Sequence, residues 1–218
     1  MLMGVLFSVC LIAANLLETK VVQIGGLSVT CGLLVFPISY IINDCIAEVW
    51  GFAKARIIIW CGFAMNFFVV ALGLISVQLP AAPFWEGEEH FNFVFGMAPR
   101  IVAGSLLAFL VGSFLNAYVM SRMRPASGSL DRFSLRAIAS TVVGEGADSL
   151  LFFPLALGGV VPWSVMPLLM LNQVVLKTLY EVVALPVTLR VVRRLRQTEG
   201  NPACDRGISY NPWKIGDL

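Results

Sequence analysis

The segment YIINDCIAEVWG, residues 40–51, places an aspartate and a glutamate four residues apart in an otherwise apolar stretch. On a helix, Tyr40, Asp44 and Glu48 follow one another at intervals of four residues and therefore share one face. A carboxylate at the centre of a membrane-spanning helix costs roughly 2.5–3.5 kcal/mol on insertion scales, so acidic residues in such a segment indicate a functional site.

The composition of the chain indicates an integral membrane protein. Of its 218 residues, 58% are apolar and 13% are charged, whereas soluble domains contain about 45–50% apolar and about 25% charged residues. One histidine and five cysteines without a CxxC pair exclude a site with two or more histidines, and we expect no metal or other cofactor. The arginines lie at segment ends, so no nucleic-acid-binding patch is expected.

Apolar runs of about 20 residues are long enough to cross the hydrocarbon core of a bilayer. The sequence predicts six such helices, the first from residue 2 into ANLLETK (14–20) and the others over 32–49, 57–79, 101–120, 137–160 and 163–189. The expected fold is an all-α membrane protein, with a transmembrane domain over 1–196 and a polar cytoplasmic tail over 197–218. Gly104, Ala108 and Gly112, spaced four apart, predict a packing face on the fourth helix.

The basic residues predict the orientation of these helices. They follow predicted helices 2, 4 and 6, and the positive-inside rule places these three regions and both termini in the cytoplasm. The basic residues are Lys54, Arg56, Arg122, Arg124, Arg132, Arg136, Arg190, Arg193, Arg194 and Arg196. With three helices in each half, an internal repeat would be inverted. Predicted helices 2 and 5 would then correspond, and each carries an acid pair and a Phe-Pro pair.

Polar residues at helical spacing also occur on predicted helices 1, 5 and 6. Lys177 and Glu181 could pair within one helix in a structural role, but that pair does not balance the remaining acids. The excess carboxylates must be protonated, hydrated or matched to a ligand that donates hydrogen bonds. We therefore expect a substrate cavity, a proton path, or both. The candidate residues are Asn15, Tyr40, Asp44, Glu48, Glu145, Asp148, Gln173, Lys177 and Glu181.

Three ordered motifs resemble a known family. FPISYIINDCIAEVWGFAKAR (36–56) resembles the FPxxYxxxDxxxExxGxxxAR signature of the queuosine-precursor transporters, also called the vitamin-uptake-transporter-like family. LRAIASTVVGEGADSLLFF (135–153) and KTLYEVVALPVT (177–188) resemble the second and third signatures, and ANLLETK and RGISYNPW (206–213) resemble less specific features. The resemblance implies a six-helix transporter of the bacterial inner membrane that imports the 7-deazaguanine bases preQ0 (7-cyano) and preQ1 (7-aminomethyl).

The chemistry of the candidate residues suits that ligand class. A deazaguanine presents adjacent N1–H and amino donors, which one carboxylate accepts as a bidentate pair. Asp44, Glu145 and Asp148 are the candidates for this acceptor. Tyr40 or Phe152 could stack on the base. Asn15, Gln173 and Lys177 could read its O6 edge.

Three other interpretations of the chain remain open at this stage. It has no G-x-x-x-x-G-K-[ST] motif, so it could be a substrate-binding membrane subunit that serves a separate ATPase. It could also be a proton-coupled carrier of another small solute. GEGAD (144–148) is similar to the G-x-G-D motif of intramembrane aspartyl proteases, but the aspartate is displaced by one residue, and we expect no enzyme. The choice among preQ0, preQ1 and queuine, the energy coupling and the oligomeric state are not determined by the sequence.

Overall fold

The computed structural model describes residues 1–96, 99–123, 133–158 and 161–199, and this part of the chain is mostly helical. The helices are α1 (Leu2–Leu17), α2 (Phe36–Trp50), α3 (Phe52–Val77), α4 (Glu88–Gly96), α5 (Pro99–Arg122), α6 (Phe133–Phe152) and α7 (Met166–Glu199). Each of the six predicted helices has a counterpart, in α1, α2, α3, α5, α6 and α7. The short helix α4 lies in the predicted outer loop between α3 and α5.

Within the described residues, three helical segments are long and apolar enough to cross a membrane, namely Phe52–Val77, Phe133–Ala156 and Met166–Thr198. Helices α1 and α2 have 16 and 15 residues, which gives lengths of about 24 and about 22 Å. Both are shorter than the hydrocarbon core of about 30 Å. The class of a mostly helical membrane protein is thus confirmed, while the count of six spans stays a prediction.

In contrast to a soluble protein, this protein exposes many large apolar side chains and buries many polar and charged ones. Helix α7 shows this most clearly, because two stripes at helical spacing lie on its opposite sides. The exposed stripe is apolar and comprises Leu168, Leu171, Val175, Leu179, Val183 and Val187. The buried stripe carries Gln173, Lys177, Glu181 and Thr188 among its members. This arrangement is stable when lipid surrounds the bundle, since apolar surface then faces hydrocarbon and polar groups face one another.

Helix α2 is the central element of the bundle. It packs against α1, α3, α5 and α7, and 12 of its 15 residues are buried, so its polar side chains have no route to lipid. Gly51 joins it to α3 with φ 84°, a left-handed conformation that other residues adopt at a cost. This one-residue connection lets two helices follow each other directly.

Helices α5 and α6 form the most extensive helix-to-helix contact. A Cβ atom added to Gly144 would lie 2.9 Å from the Gly112 carbonyl oxygen, and one added to Gly104 would lie 3.1 Å from Leu155 Cβ. These distances are too short for ordinary packing, so the two backbones approach closely only because the residues are glycines. The packing face predicted on the fourth helix is confirmed.

A β-hairpin between α1 and α2 corrects the all-α expectation. Strands β1 (Val21–Ile24) and β2 (Leu27–Thr30) pair in antiparallel register, and Gly25 and Gly26 both have positive φ. Two glycines between apolar strands favour the tight turn in which both central residues are left-handed. A 3₁₀ turn, Cys31–Leu34, then leads into α2. Helix α2 therefore begins four residues later than predicted.

The positions of the two Phe-Pro pairs and the end of α7 also differ from the sequence expectations. Phe36 and Pro37 begin α2, whereas Phe153 and Pro154 follow the end of α6 in a π-helical segment, Phe153–Leu157. The Phe-Pro pairs thus lie at opposite ends of their helices along the chain and give no support to an inverted repeat. The predicted tail begins inside α7, which ends at Glu199. Residues 200–218, including RGISYNPW, and the basic residues Arg124 and Arg132 lie outside the described residues.

Candidate functional site

Lys177 of α7 is the centre of a buried ionic cluster. Its Nζ atom lies 2.7 Å from Glu145 Oε2 and 3.7 Å from Asp148 Oδ2, both on α6. The Glu18 carboxylate at the end of α1 also acts on it electrostatically. We refer to Glu18, Glu145, Asp148 and Lys177 as the Lys177 cluster. It holds three carboxyl groups against one ammonium group, so the acids exceed the bases.

The carboxylates and the amide around Lys177 retain acceptor atoms that the protein does not use. Glu18 Oε2, Glu145 Oε1 and Gln173 Oε1 are buried without a hydrogen-bond partner. Gln173 directs its amide nitrogen to the Thr30 hydroxyl at 2.8 Å, which leaves its oxygen available. Buried acceptors without donors are costly, and their concentration at one place indicates a ligand that donates hydrogen bonds.

A small cavity adjoins this cluster. Its volume is about 10 Å³, which is room for about one water molecule. Phe36 forms part of the wall, and its ring centroid lies 3.8 Å from Lys177 Nζ, a cation–π contact. The lining residues are Glu18, Phe36, Asp148, Phe152, Phe153, Gln173 and Lys177.

The hairpin and the π-helical segment position further residues at the cavity and beside it. The end of β2 supplies Thr30, which bridges Gln173 and the Glu18 carboxylate. Pro154 has no amide hydrogen and interrupts α6, and the π-helical turn that results presents Phe152 and Phe153 to the cavity. Turns of this kind inside helices are frequent at functional sites.

Asp44 lies outside the Lys177 cluster and contacts polar side chains of three other helices, α5, α6 and α7. Asn116 Nδ2 on α5 donates to Asp44 Oδ1 at 2.7 Å, and Ser140 Oγ on α6 donates to the same atom at 3.3 Å. Glu181 of α7 faces Asp44 and is within hydrogen-bonding reach of it. We refer to these two acids as the Asp44–Glu181 pair.

Glu48 belongs to a third ionic group, which we call the Glu48 network and which comprises Glu48, Arg136 and Arg196. Arg136 binds the carboxylate with both terminal nitrogens, at 2.7 and 3.0 Å, and Arg196 binds Glu48 Oε1. Two guanidinium groups therefore satisfy one carboxylate and join α2, α6 and α7. Glu48 does not reach the cavity beside Lys177.

The structure thus divides the predicted site residues. Four of them lie together at the cavity or beside it: Glu145, Asp148, Gln173 and Lys177. Tyr40 packs at the crossing of α5 and α6, where its ring lies against Gly144. Asn15 lies in the last turn of α1, away from the cavity lining. The alternative that Lys177 pairs with Glu181 within α7 is wrong, because the Lys177 ammonium group pairs with Glu145 of the neighbouring helix α6.

Some residues of these clusters escaped the sequence prediction. Phe36 and Phe153 lie in recognisable Phe-Pro pairs, and Glu18 lies in the ANLLETK segment, so each carried a signal. The positive-inside rule uses Arg136 and Arg196 only as markers of orientation, so it does not predict that both arginines bind Glu48. Within the described residues, no group of three or more histidine, cysteine or acidic side chains is arranged to hold a metal ion.

Comparison with known proteins gives the family of this chain. The family described as "Putative vitamin uptake transporter" matches residues 30–191, a range that contains α2, α3, α5, α6 and most of α7. The chain belongs to this transporter family. Since the family consists of transporters, the intramembrane protease interpretation is excluded. Asp44 and Asp148 also occupy different clusters, which a protease dyad would not allow.

Named relatives of the transporter come from three bacteria. It is 28% identical over 177 residues to a "Probable queuosine precursor transporter" of Bacillus subtilis, covering 80% of this chain and 76% of the relative. It is 30% identical over 147 residues to the "Queuosine precursor transporter" of Escherichia coli, covering 66% and 62%. A "Probable queuosine precursor transporter" of Haemophilus influenzae is 31% identical over 131 residues, or 58% and 51%. No solved structure matches the chain.

Proposed function

We propose that this protein imports queuosine precursors, the 7-deazaguanine bases preQ0 and preQ1, and binds them beside the Lys177 cluster. The observation that carries the proposal is a surplus of buried acceptors without donors, of which Glu18 Oε2 and Gln173 Oε1 belong to residues that line the cavity and Glu145 Oε1 belongs to the partner of Lys177 beside it. The names of the relatives point to the same substrate class.

The groups at the cavity complement a deazaguanine edge by edge. The N1–H and amino group form two parallel donors, and a carboxylate accepts both as a bidentate pair. Glu145 is the best candidate, because its Oε1 atom is open and its Oε2 atom, which accepts one hydrogen bond from Lys177, has a second lone pair with which to accept another. The Lys177 ammonium group would donate to O6 of the base. Phe36 and Phe152 supply apolar faces on which the ring can stack.

The cavity must widen before a bicyclic base can enter. At about 10 Å³ it holds about one water molecule. The wall comes from separate elements, since α1 supplies Glu18, α2 supplies Phe36 and α7 supplies Gln173. Relative movement of these helices would open the site, as expected of a carrier that exposes one central site alternately to each side.

We extend the proposal to the placement of the chain. Six spans, with both termini in the cytoplasm, would bring the basic residues at the start of α3, at the end of α5 and in the last turns of α7 to one side. Residues 1–196 would form the transporter domain and 197–218 a cytoplasmic tail. The membrane would be the bacterial inner membrane, since the named relatives are bacterial. In this scheme α1 and α2 are too short to span the bilayer alone, and the hairpin and the turn between them complete the two spans.

Uptake by the purified protein tests this function. The full chain is reconstituted in liposomes without any ATPase, and radiolabelled preQ0 or preQ1 is added outside. We expect uptake of both bases and competition by the unlabelled bases but not by adenine, whose edge lacks the N1–H donor. Absence of uptake, together with retained binding of the bases, would indicate a subunit that requires an ATPase. Absence of both would contradict the proposal.

A further inference from the structure

We propose that the Asp44–Glu181 pair is a proton-binding site, separate from the substrate cavity, and that its proton drives uptake. The inference rests on the proposed function for the coupling, but the proton site itself does not depend on the identity of the substrate. It starts from two buried acids that face each other, Asp44 at 0% and Glu181 at 2% exposure.

The contacts of the pair require a hydrogen between the two acids. Asp44 Oδ1 is occupied by the Asn116 amide and the Ser140 hydroxyl, whereas Asp44 Oδ2 and Glu181 Oε2 are buried without a donor. A carboxylate has no hydrogen to donate, so two carboxyl groups within hydrogen-bonding reach can bond only if one of them holds a proton. The proton then lies between Asp44 and Glu181 and leaves when the pair separates.

The surroundings of the pair contain no compensating cation among the described contacts. The groups that face Asp44 from other helices are Glu181 from α7, the Asn116 amide from α5 and the Ser140 hydroxyl from α6. On α2 itself, the neutral side chains of Tyr40 and Cys45 also interact with Asp44. Those that face Glu181 are Asp44 and Thr141. Lys177, one turn along α7 from Glu181, is engaged with Glu145 and Asp148. Two buried acids without a cation are stable when they share a proton.

Unused polar atoms around the pair support a site that accepts and releases hydrogen. Asn116 Oδ1, at a side chain 0% exposed, and Thr141 Oγ1, at a side chain 2% exposed, have no partner of ordinary geometry. Asn116 points its amide at Asp44, and Thr141 lies against Glu181. Asn116 already donates to Asp44, and the Thr141 hydroxyl can turn to donate to Glu181 once the shared proton has left, which lowers the cost of the ionised form.

The position of the pair suits coupling between substrate and proton. Along α2, Asp44 lies eight residues beyond Phe36 at the cavity and four residues before Glu48, or about 12 and about 6 Å along the axis. Along α7, Glu181 is one turn from Lys177. The α2 and α7 helices therefore line both the cavity and the proton site. A movement that opens the cavity between them also changes the distance between Asp44 and Glu181.

The first test needs no substrate. The infrared spectrum of the purified full chain in lipid is recorded at neutral pH in the region of the C=O stretch of protonated carboxyl groups. We expect the component of the band that comes from the pair to shift in Asp44→Asn and in Glu181→Gln and to disappear in the double variant. The exposed acid Glu89 on α4 supplies a matched control, and Glu89→Gln should leave the band unchanged. A spectrum that is identical in wild type and all three pair variants would overturn the site.

The second test measures coupling in liposomes with the membrane potential held at zero. A pH gradient of one unit, acidic outside, should give about tenfold accumulation of labelled preQ0 if one proton accompanies each neutral base. A pH-sensitive dye inside should report acidification on addition of preQ0. Glu181→Gln should lose both responses, while Glu89→Gln keeps them.

The outcomes separate the two proposals. Equal stimulation of wild type and Glu181→Gln by the pH gradient would overturn the role of the pair in coupling. Uptake by the wild type without any response to the gradient would do the same, and the proposed function would stand. A wild type that neither binds nor transports any deazaguanine would contradict the proposed function, and the infrared spectra would still decide the proton site.

Discussion

The Lys177 cluster and the Glu48 network are both buried ionic groups held by α6 and α7, yet their balance of charge is opposite. In the Glu48 network, two guanidinium groups satisfy one carboxylate, and Arg136 binds it through two nitrogens. In the Lys177 cluster, one ammonium group faces three carboxyl groups, and Glu18 and Glu145 each keep a buried oxygen without a donor. In the first, both oxygens of the carboxylate are bonded, and the buried polar atom that Arg136 leaves unused there, Nε, is a donor and not an acceptor. The second is incomplete without a ligand, and this difference locates the site more directly than the number of charges does.

The largest expected effect is on stability, from removal of Arg136. Arg136→Leu removes both hydrogen bonds that Arg136 donates to the fully buried Glu48 carboxylate. Breaking a buried ion pair by removing one partner costs about 3–5 kcal/mol. We expect loss of monodisperse protein in size-exclusion chromatography and a lower unfolding temperature in mild detergent. Arg190→Leu, at an exposed position of the same helix as Arg196, is the control. Equal stability of the two variants would contradict the structural role of the network.

The second effect is on binding, from a change in the Lys177 cluster. Glu145→Gln replaces the proposed bidentate acceptor by a group of the same shape, and Lys177 retains Asp148 at 3.7 Å. Hydrogen bonds to charged groups contribute about 1.5–3 kcal/mol, so the dissociation constant for preQ1 should rise by about 10–100-fold. Isothermal titration with the purified variant measures this change. A dissociation constant within a factor of two of wild type would exclude Glu145 as the acceptor.

The smallest expected effect is on stability, from replacement of Arg196, the more exposed of the two arginines in the Glu48 network. Arg196 is 12% exposed while Arg136 is 1% exposed, and Arg136 alone satisfies both oxygens of the carboxylate. Arg196→Gln should therefore cost less than the ~3–5 kcal/mol expected for Arg136→Leu and leave preQ1 affinity unchanged. Thermal unfolding and titration on the same sample check both statements. A loss as large as that of Arg136→Leu would show that the two arginines contribute equally.

The sequence predicted the helices from the length of the apolar runs, and it predicted the shared polar face of α2 from helical periodicity. Apolar runs give spans, and Tyr40, Asp44 and Glu48 share a face on any straight helix. It did not predict partners. Lys177 could bond to Glu181 one turn away or to Glu145 across the bundle, and only the packing of α6 against α7 decides between them.

Two further differences have particular causes. The hairpin over Val21–Thr30 was missed although its Gly25-Gly26 turn is a strong local signal. Prediction from apolar runs of about 20 residues leaves residues 21–31 as a connection between two helices, because strands of four residues are much shorter than such a run. Arg136 and Arg196 were read only as cytoplasmic markers, because the positive-inside rule counts basic residues without regard to the direction of their side chains. Their contact with Glu48 depends on three helices meeting.

The central claim is that the Lys177 cluster binds 7-deazaguanine bases during import, and the queuosine content of tRNA tests it in cells. The host makes no queuosine precursors and lacks its own importer, and it receives a limiting amount of preQ1. We expect wild type and Glu89→Gln to restore queuosine, and Glu145→Gln to give little or none while reaching the membrane in equal amount. Restoration by Glu145→Gln at the wild-type level, or no restoration by wild-type protein verified in the membrane, would contradict the claim.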